Sequence, residues 1–216
     1  MIRRFAIRRR RKMNQPQSRA RSSALPEPPA WTFFRQWLKN PLAMAALAPS
    51  SRHLADAMMA QLPPGTRRVV ELGAGTGVFT STLLEHGIAP ADLVVVELNA
   101  ELHALLVARF PDVHVVRGDA RDLRAIVRAE GFDESDSMDA AVSGLGFLAM
   151  PRMIQRAILE AVFSVLGPGR PLIQFTYGPL GPLPRELLRE LSLEATRVGA
   201  VWRNVPPANI YTYRRV

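Results

Sequence analysis

A short apolar run, three closely spaced glycines and a helix start follow one another in Val69-Val-Glu-Leu-Gly-Ala-Gly-Thr-Gly-Val-Phe79. Glycines at the carboxyl end of a strand let the backbone turn sharply and approach a ligand closely. The free N–H groups of the helix that follows then face a negative group on that ligand. The segment therefore predicts a binding site for a nucleotide-like molecule.

Three details favour S-adenosylmethionine over a dinucleotide as that molecule. The dinucleotide pattern requires Gly or Ala at Val78, whereas the third glycine here is Gly77. The carboxylate of Glu71 would repel a pyrophosphate, but it would attract the cationic methionine end of S-adenosylmethionine. Glu97 lies about 20 residues past the turn, the spacing of a carboxylate on ribose hydroxyls, and Asp119 is placed to accept from an adenine amino group. The alternative is that these acids are ordinary helix caps.

The elements that position these acids alternate between helix and strand along the chain. Strands of four to eight apolar residues between helices predict a parallel sheet covered on both faces. The predicted strands are 67–72, 93–97, 113–116, 138–143 and 171–177. The predicted helices are 51–62, 76–85, 100–109, 120–129, 151–166 and 183–191. Two last extended runs, 195–203 and 208–214, predict a closing hairpin.

The first 30 residues predict a disordered, arginine-rich tail. The chain has a net charge of +9, and its first 24 residues hold nine Arg and Lys and no acid. The other 19 basic residues equal the 19 acidic ones in number, so the predicted folded part is formally neutral. The tail is either an electrostatic arm for anionic lipid or nucleic acid, or an over-extended start, since Met13 could also begin the chain.

Residues 31–48 predict an amphipathic helical segment. On an ideal helix the aromatic and polar side chains of residues 31–40, which end before Pro41, separate completely onto two arcs. This pattern is typical of a helix that lies in a lipid interface, although a helix packed on its own domain shows the same pattern. The predicted membrane-facing residues are Trp31, Phe33, Phe34, Trp37 and Leu38.

The glycine turn and its three acids resemble those of the class I S-adenosylmethionine methyltransferases. The resemblance covers residues 50–216. The resemblance implies an α/β fold for residues 49–216: a Rossmann-like seven-stranded sheet with helices on both faces and a C-terminal antiparallel hairpin. It also implies that Ser50 and Ser51 approach the methionine part, although Ser51 is equally a plain N-cap. The expected cosubstrate residues are Ser50, Ser51, Glu71, Gly73, Ala74, Gly75, Thr76, Gly77, Glu97, Leu98, Gly118, Asp119, Ala120 and Ser143.

The methyl acceptor should bind after the fourth strand, in the segment 139–151. This segment lacks the Asn-Pro-Pro-Tyr type of sequence found in enzymes that methylate adenine amines. Its Ser-Gly-Leu turn, with Phe175-Thr-Tyr-Gly-Pro179 and Trp202-Arg-Asn-Val-Pro-Pro207, resembles bacterial phospholipid N-methyltransferases, which convert phosphatidylethanolamine to phosphatidylcholine. The resemblance departs at position 146, where proline is expected and the chain has glycine.

Several residues are expected to position the acceptor amine. Tyr177 would orient it by a hydrogen bond or a cation–π contact, and the backbone carbonyls of Ser143 and Gly144 would assist. Leu145 and Arg203 would contact the lipid, with the arginine on its phosphate. The alternatives are that Tyr177 only packs at the strand end and that Arg203 is an ordinary surface residue.

The composition of the chain bears on metal binding and on membrane insertion. The chain has no cysteine, and its four histidines have no partner at metal-ligand spacing, so we expect no metal. Apolar runs are too short to span a bilayer. We expect a cytoplasmic protein, peripheral on the inner face of the membrane and monomeric when soluble, with an anionic membrane surface as partner. Two alternatives are a ribosomal adenine-type RNA methyltransferase, disfavoured by the neutral folded part, and a module that binds the cosubstrate without catalysis.

Overall fold

A computed structural model describes residues 50–132, 137–177, 181–204 and 206–216, and the side chains of these residues except at positions 50 and 51. The predicted tail (1–30) and the predicted amphipathic segment (31–48) lie outside the described residues. The predictions for Trp31, Phe33, Phe34, Trp37 and Leu38, and for the side chains of Ser50 and Ser51, therefore stay predictions.

Helices and strands alternate through most of the described chain. The helices are α1 (Ser50–Met59), α2 (Val78–Glu85), α3 (Ala100–Arg109), α4 (Leu123–Ala129), α5 (Arg152–Val165) and α6 (Arg185–Glu190). The strands are β1 (Val69–Leu72), β2 (Leu93–Glu97), β3 (His114–Arg117), β4 (Ala140–Ser143), β5 (Leu172–Tyr177), β6 (Leu193–Val201) and β7 (Ala208–Arg215). Short 3-10 turns occupy Pro90–Asp92, Ala120–Asp122 and Phe147–Ala149.

The seven strands form one sheet in the order β3-β2-β1-β4-β5-β7-β6. Strands β1 to β5 are parallel, and β7 is antiparallel to both of its neighbours, β5 and β6. The strand order reverses between β1 and β4, and in open sheets of this kind ligands bind at that point, beyond the carboxyl ends of the strands. The predicted fold class, including the closing hairpin, is confirmed.

Successive residues of the central strands enter two different cores. Val69, Val95 and Val142 pack with α1, α2 and α3 on one face, while Val70 and Val94 pack with α4, α5 and α6 on the other. Because side chains alternate across a strand, a strand buried on both faces must be apolar at nearly every position. This is the physical reason for the short continuous apolar runs in the sequence.

Some element boundaries differ from the prediction for local reasons. Helix α2 begins at Val78 rather than at residue 76, because Gly77 is left-handed (φ 82°) and cannot continue a right-handed helix. The predicted helix 120–129 is split, because the side chain of Asp119 caps a 3-10 turn before α4 begins. No helix among the described residues is both long and apolar enough to cross a bilayer.

Candidate active site

The glycine turn after β1 adopts a backbone that other residues rarely adopt. Gly73, Gly75 and Gly77 have φ values of 67°, 59° and 82°. A Cβ at Gly77 would also lie 2.6 Å from the Phe110 ring. The turn therefore needs glycine both for its dihedral angles and for close packing.

The loop after β4 packs directly against this turn. A Cβ on Gly144 would lie 2.6 Å from the carbonyl oxygen of Gly73, and a Cβ on Gly73 would lie 2.7 Å from Cδ2 of Leu145. The N–H of Gly144 donates to the carbonyl of Leu72 (2.8 Å). The two loops at the strand-order reversal are thus held together with no room for a further methyl group.

Glu97, the last residue of β2, ties the turn to the neighbouring strand. Its Oε2 accepts from the N–H of Gly75 (2.9 Å), and its Oε1 accepts from the N–H of Asn99 (2.9 Å). The carboxylate is nearly buried yet lines an open cleft. Each oxygen has a second lone-pair direction, so the carboxylate can hold the turn and still accept from a ligand hydroxyl.

A cleft of about 330 Å³ lies between these loops at the carboxyl edge of the sheet. Nine of the predicted site residues line it, namely Gly73, Gly75, Glu97, Leu98, Gly118, Asp119, Ala120, Gly144 and Leu145. Gly146, the position at which the resemblance to phospholipid N-methyltransferases departs, also lines the cleft. Seven further lining residues were not predicted, namely Val96, Asn99, Leu102, Arg121, Met150, Ile154 and Ile158. The lining is therefore mostly apolar and includes two carboxylates, those of Glu97 and Asp119.

Asp119 lines the cleft as predicted, but its carboxylate is already engaged. It accepts from the backbone N–H of Arg121 (2.9 Å) and from the Nε and Nη2 groups of the same residue (3.0 and 2.7 Å). The hydrogen bonds from Arg121 hold the pKa of Asp119 below its ordinary value. Asp119 therefore acts both as the cap that the alternative interpretation suggested and as a charged group at the cleft.

The carboxylate of Glu71 was predicted to lie beside the cationic end of the cosubstrate. The structure buries this carboxylate completely, and Glu71 is not among the residues that line the cleft. Its Oε2 accepts from the hydroxyl of Thr80 (2.7 Å), and Oε1 has no hydrogen-bond partner among the described residues. Burial raises the pKa of Glu71 from 4.5 to about 8, and the nearby charge of Glu97 adds to the shift.

We expect this buried carboxyl group to make stability depend on pH. Between pH 4.5 and about 8 the folded state keeps a proton on Glu71 that the unfolded state releases. The free energy of unfolding should therefore fall as pH rises through this window, by at most about 1.4 kcal/mol per pH unit, and level off above it. The thermal unfolding midpoint of Glu71→Gln should fall less than that of wild type as pH rises through this window. At pH 8.5 the variant should have the higher midpoint.

The matched control for this experiment is Glu101→Gln, which changes an exposed acid in the first turn of α3. Its midpoint should follow that of wild type at every pH. Parallel pH curves for wild type and Glu71→Gln would show that Glu71 is ionised in the folded protein across the window.

Two buried glutamines, which sequence analysis missed, hold the loop after β4. Gln174 on β5 donates from Nε2 to the carbonyl of Leu145 (3.0 Å). Gln155 on α5 donates from Nε2 to the carbonyls of Phe147 (2.8 Å) and Met150 (3.2 Å). A glutamine on an otherwise apolar helix face or in a buried strand is the sequence signal that would have found them, because buried amides need partners.

The side chain of Ser143 also stabilises the loop after β4. The prediction gave it a role in cosubstrate and amine binding, but its side chain is fully buried and its Oγ accepts from the N–H of Leu145 (3.2 Å). The hydroxyl thus stabilises the turn that brings Gly144 and Leu145 to the cleft. Three polar side chains, Ser143, Gln155 and Gln174, together fix the backbone of the candidate acceptor loop.

Tyr177 and Arg203 lie at the same edge of the sheet but do not line the cleft. Ser143 is paired with Gln174, so β5 continues three residues farther and places Tyr177 about 10 Å beyond the end of β4. Its hydroxyl is hydrogen-bonded to Asn204, and burial raises its pKa above the ordinary value. Arg203 is exposed in the β6–β7 connection.

The remaining predicted cosubstrate residues support the turn rather than line the cleft. Ala74 is buried, and the carbonyl of Thr76 accepts from Arg109 (3.0 Å). In the described part of the chain, no group of three or more potential ligand side chains could hold a metal ion.

Comparisons with known proteins agree with this geometry. A family model described as a methyltransferase domain matches residues 69–169. The chain is 34% identical over 188 residues to an ornithine lipid N-methyltransferase of Singulisphaera acidiphila, covering 85% of this chain and 95% of that protein. It is 38% identical over 97 residues to a ribosomal RNA small subunit methyltransferase A of a Synechococcus species, but covers only 30% of that protein.

Among solved structures, a Burkholderia thailandensis 1,6-didemethyltoxoflavin-N1-methyltransferase has the same fold, with a TM-score of 0.60 at 18% identity over 87% of each chain. That structure contains S-adenosylhomocysteine and 1,6-didemethyltoxoflavin. Fold, cleft and sequence together place this chain among the class I S-adenosylmethionine-dependent methyltransferases. Within that class it belongs to the family of the bacterial ornithine lipid N-methyltransferase.

The residues at the cleft fit S-adenosylmethionine as the cosubstrate. Glu97 presents a carboxylate suited to a pair of ribose hydroxyls, and Gly73 and Gly75 bring bare backbone to the lining of the cleft. Leu98 and Ala120 supply apolar surface for a planar base. The predicted cosubstrate is confirmed by family membership, while the role of each residue stays a prediction.

Proposed function

We propose that the protein transfers methyl groups from S-adenosylmethionine to the amine of a membrane aminolipid. The observation that carries the proposal is the 34% identity to an ornithine lipid N-methyltransferase over nearly the full length of that protein. The apolar side of the cleft, with Leu145, Met150 and Ile154, supports it because it suits an acceptor that carries hydrocarbon.

When bound, S-adenosylmethionine supplies an activated methyl carbon, so the protein mainly needs to orient the acceptor and exclude water. The loop after β4 is the candidate for this task. Ser143, Gln155 and Gln174 hold its backbone, which leaves Gly144 and Leu145 in one arrangement against the glycine turn. A preorganised backbone costs no reordering when the amine arrives.

The acceptor amine must be neutral to attack the methyl carbon, although an alkylamine has a reference pKa of about 10.4. An apolar cleft lowers the pKa of such an amine because burial disfavours the charged form. Tyr177 lies outside the cleft at the same edge of the sheet, so in this proposal it meets the amine as the head group approaches the cleft. Burial raises the pKa of Tyr177, so it stays a neutral phenol at physiological pH and can accept a hydrogen bond from the amine. Arg203 would pair with the acidic group of the lipid head.

Two lipids are candidates for the acceptor. Phosphatidylethanolamine follows from the resemblance of the Ser143-Gly144-Leu145 turn to phospholipid N-methyltransferases, and successive methylation would give phosphatidylcholine. Ornithine lipid is favoured by the named relative. Both present an amine beside an acidic group, phosphate or carboxylate, above two acyl chains, so the same apolar cleft and exposed arginine would suit either.

A labelling assay tests the proposal. Full-length protein is incubated with methyl-labelled S-adenosylmethionine and detergent-dispersed phosphatidylethanolamine, ornithine lipid or ribosomal RNA. We expect label in mono-, di- and trimethylated lipid and none in RNA. Label in RNA and none in lipid would support the alternative of a ribosomal adenine-type methyltransferase, and the relative rates on the two lipids identify the preferred head group.

A further inference from the structure

Four strongly exposed apolar side chains lie at one edge of the sheet. Leu98 follows β2, Leu148 and Met153 follow β4, and Trp202 follows β6. These three strands run in the same direction, so all four residues lie at the carboxyl edge, where the cleft opens. They are 64%, 50%, 78% and 77% exposed, respectively.

The other large apolar residues with high exposure in the described chain are placed differently. Leu105 and Val107, on α3, are only 38% and 44% exposed. Val216 is 76% exposed, but β7 is antiparallel and ends at the opposite, amino edge of the sheet. Scattered apolar residues are ordinary on protein surfaces, whereas exposed apolar residues that share one functional edge indicate an interaction surface.

The exposed residues after β4 continue the apolar wall of the cleft. Met150 and Ile154 line the cleft, while their near neighbours Leu148 and Met153 face outward. Apolar surface therefore extends from inside the cleft to the outer rim without a change of segment. A ligand with long hydrocarbon chains could keep these chains outside the cleft while its polar head group enters.

Each of the two most exposed apolar residues has an exposed arginine beside it in the chain. Arg203 follows Trp202, and Arg152, which also pairs with Glu190, precedes Met153. Guanidinium groups suit lipid phosphates, and indole and thioether side chains suit the layer just beneath the head groups. Because Glu190 balances the charge of Arg152, the argument from charge depends on Arg203, which favours a phospholipid surface over an apolar protein partner.

We propose that the carboxyl edge of the sheet is the face on which the domain docks onto a lipid bilayer. Trp202, Met153 and Leu148 would enter the head-group region, and the mouth of the cleft would face the membrane. The inference rests on the proposed function, because an aminolipid acceptor gives the cleft a reason to face a bilayer. It also explains how an acceptor amine reaches the cleft without its lipid leaving the membrane.

The absence of cysteine in the sequence allows a direct test with single labelled positions. Trp202→Cys, Met153→Cys and Val216→Cys are each labelled with an environment-sensitive NBD dye in the full chain. Vesicles of phosphatidylethanolamine and phosphatidylglycerol are then added. We expect NBD emission to rise several-fold and shift to the blue at positions 202 and 153, and to stay unchanged at 216, which matches position 202 in exposure.

A partition measurement complements the labels. Trp202→Ser should lower the partition coefficient of the protein between vesicles and water by about tenfold. This is the effect of withdrawing one large apolar side chain from the interface. Val216→Ser should leave the partition coefficient unchanged. Unchanged NBD emission at 202 and 153 in vesicle-bound protein, or no sedimentation of the protein with vesicles, would overturn the inference.

Two further outcomes separate this inference from the proposed function and from other occupants of the rim. Blue-shifted emission at 202 and 153 before vesicles are added would show that residues 1–49 or, if the shift grows with protein concentration, a second copy covers the edge. If the labelled proteins methylate detergent-dispersed lipid but their NBD emission does not change on vesicles, only the proposed docking face is refuted. If the wild-type protein binds the cosubstrate but methylates no lipid, even in detergent, the proposed function itself is refuted.

Discussion

Gly144→Ala is expected to reduce methyl transfer about 100-fold, since a displacement of about 1 Å at an active site has an effect of this size. The added Cβ would lie 2.6 Å from the carbonyl oxygen of Gly73, which is a backbone atom and cannot rotate away. The loop after β4 or the glycine turn must therefore shift, and both line the cleft. Calorimetry with S-adenosylhomocysteine and a methyl-transfer assay measure the effect.

Gly199→Ala is the matched control. Gly199 lies in β6, a Cβ there would meet no atom within 4 Å, and its φ is not left-handed. This variant should bind the cosubstrate and turn over like wild type. Circular dichroism and the unfolding midpoint show whether Gly144→Ala still folds, and a folded Gly144→Ala protein with wild-type binding and turnover would contradict the proposed contact between the two loops.

Glu97→Ala is expected to weaken binding of S-adenosylmethionine by about 10- to 100-fold, the effect of losing hydrogen bonds to a charged group. The variant removes the carboxylate from the cleft and also leaves the N–H groups of Gly75 and Asn99 without their present acceptor. Calorimetry with S-adenosylmethionine and with S-adenosylhomocysteine, which lacks the sulfonium charge, measures the loss. Equal losses for both would show that Glu97 acts on the shared ribose rather than on the sulfonium charge.

Two companion variants sharpen this experiment. Glu97→Gln keeps one acceptor oxygen for the N–H of Gly75 but loses the charge and the second acceptor, so its affinity should lie between wild type and Glu97→Ala. Glu101→Gln removes an exposed acid four residues farther along and should bind normally. Wild-type affinity of Glu97→Ala for both nucleotides would exclude Glu97 from the cosubstrate site.

Features that depend on neighbours in the chain could be predicted from the sequence. The glycine turn at Gly73, Gly75 and Gly77 was predictable because left-handed backbone at a strand end selects for glycine locally. The apolar strands were predictable because burial on both faces requires apolar side chains at successive positions. Glu97 followed from its position at the end of β2, which parallel pairing with β1 brings to the turn.

Features that depend on packing between distant segments could not be predicted. Gln174 and Gln155 hold the loop after β4 through contacts across 29 and 8 residues. A glutamine among apolar residues signals a buried amide, but the sequence does not say which distant carbonyl group accepts from it. Glu71 belongs to the expected motif, yet only the packing of α2 against β1 decides that it is buried against Thr80 instead of facing the cleft.

The sequence by itself therefore determined the class of fold, the glycine turn and the acid at the end of β2 that binds this turn, because short-range backbone and burial requirements leave few other choices. Only the tertiary structure decided which polar groups face the cleft and which serve the loop behind it. It also decided that Leu98, Leu148, Met153 and Trp202 share one edge, because strand order and direction bring together residues that are far apart in the chain.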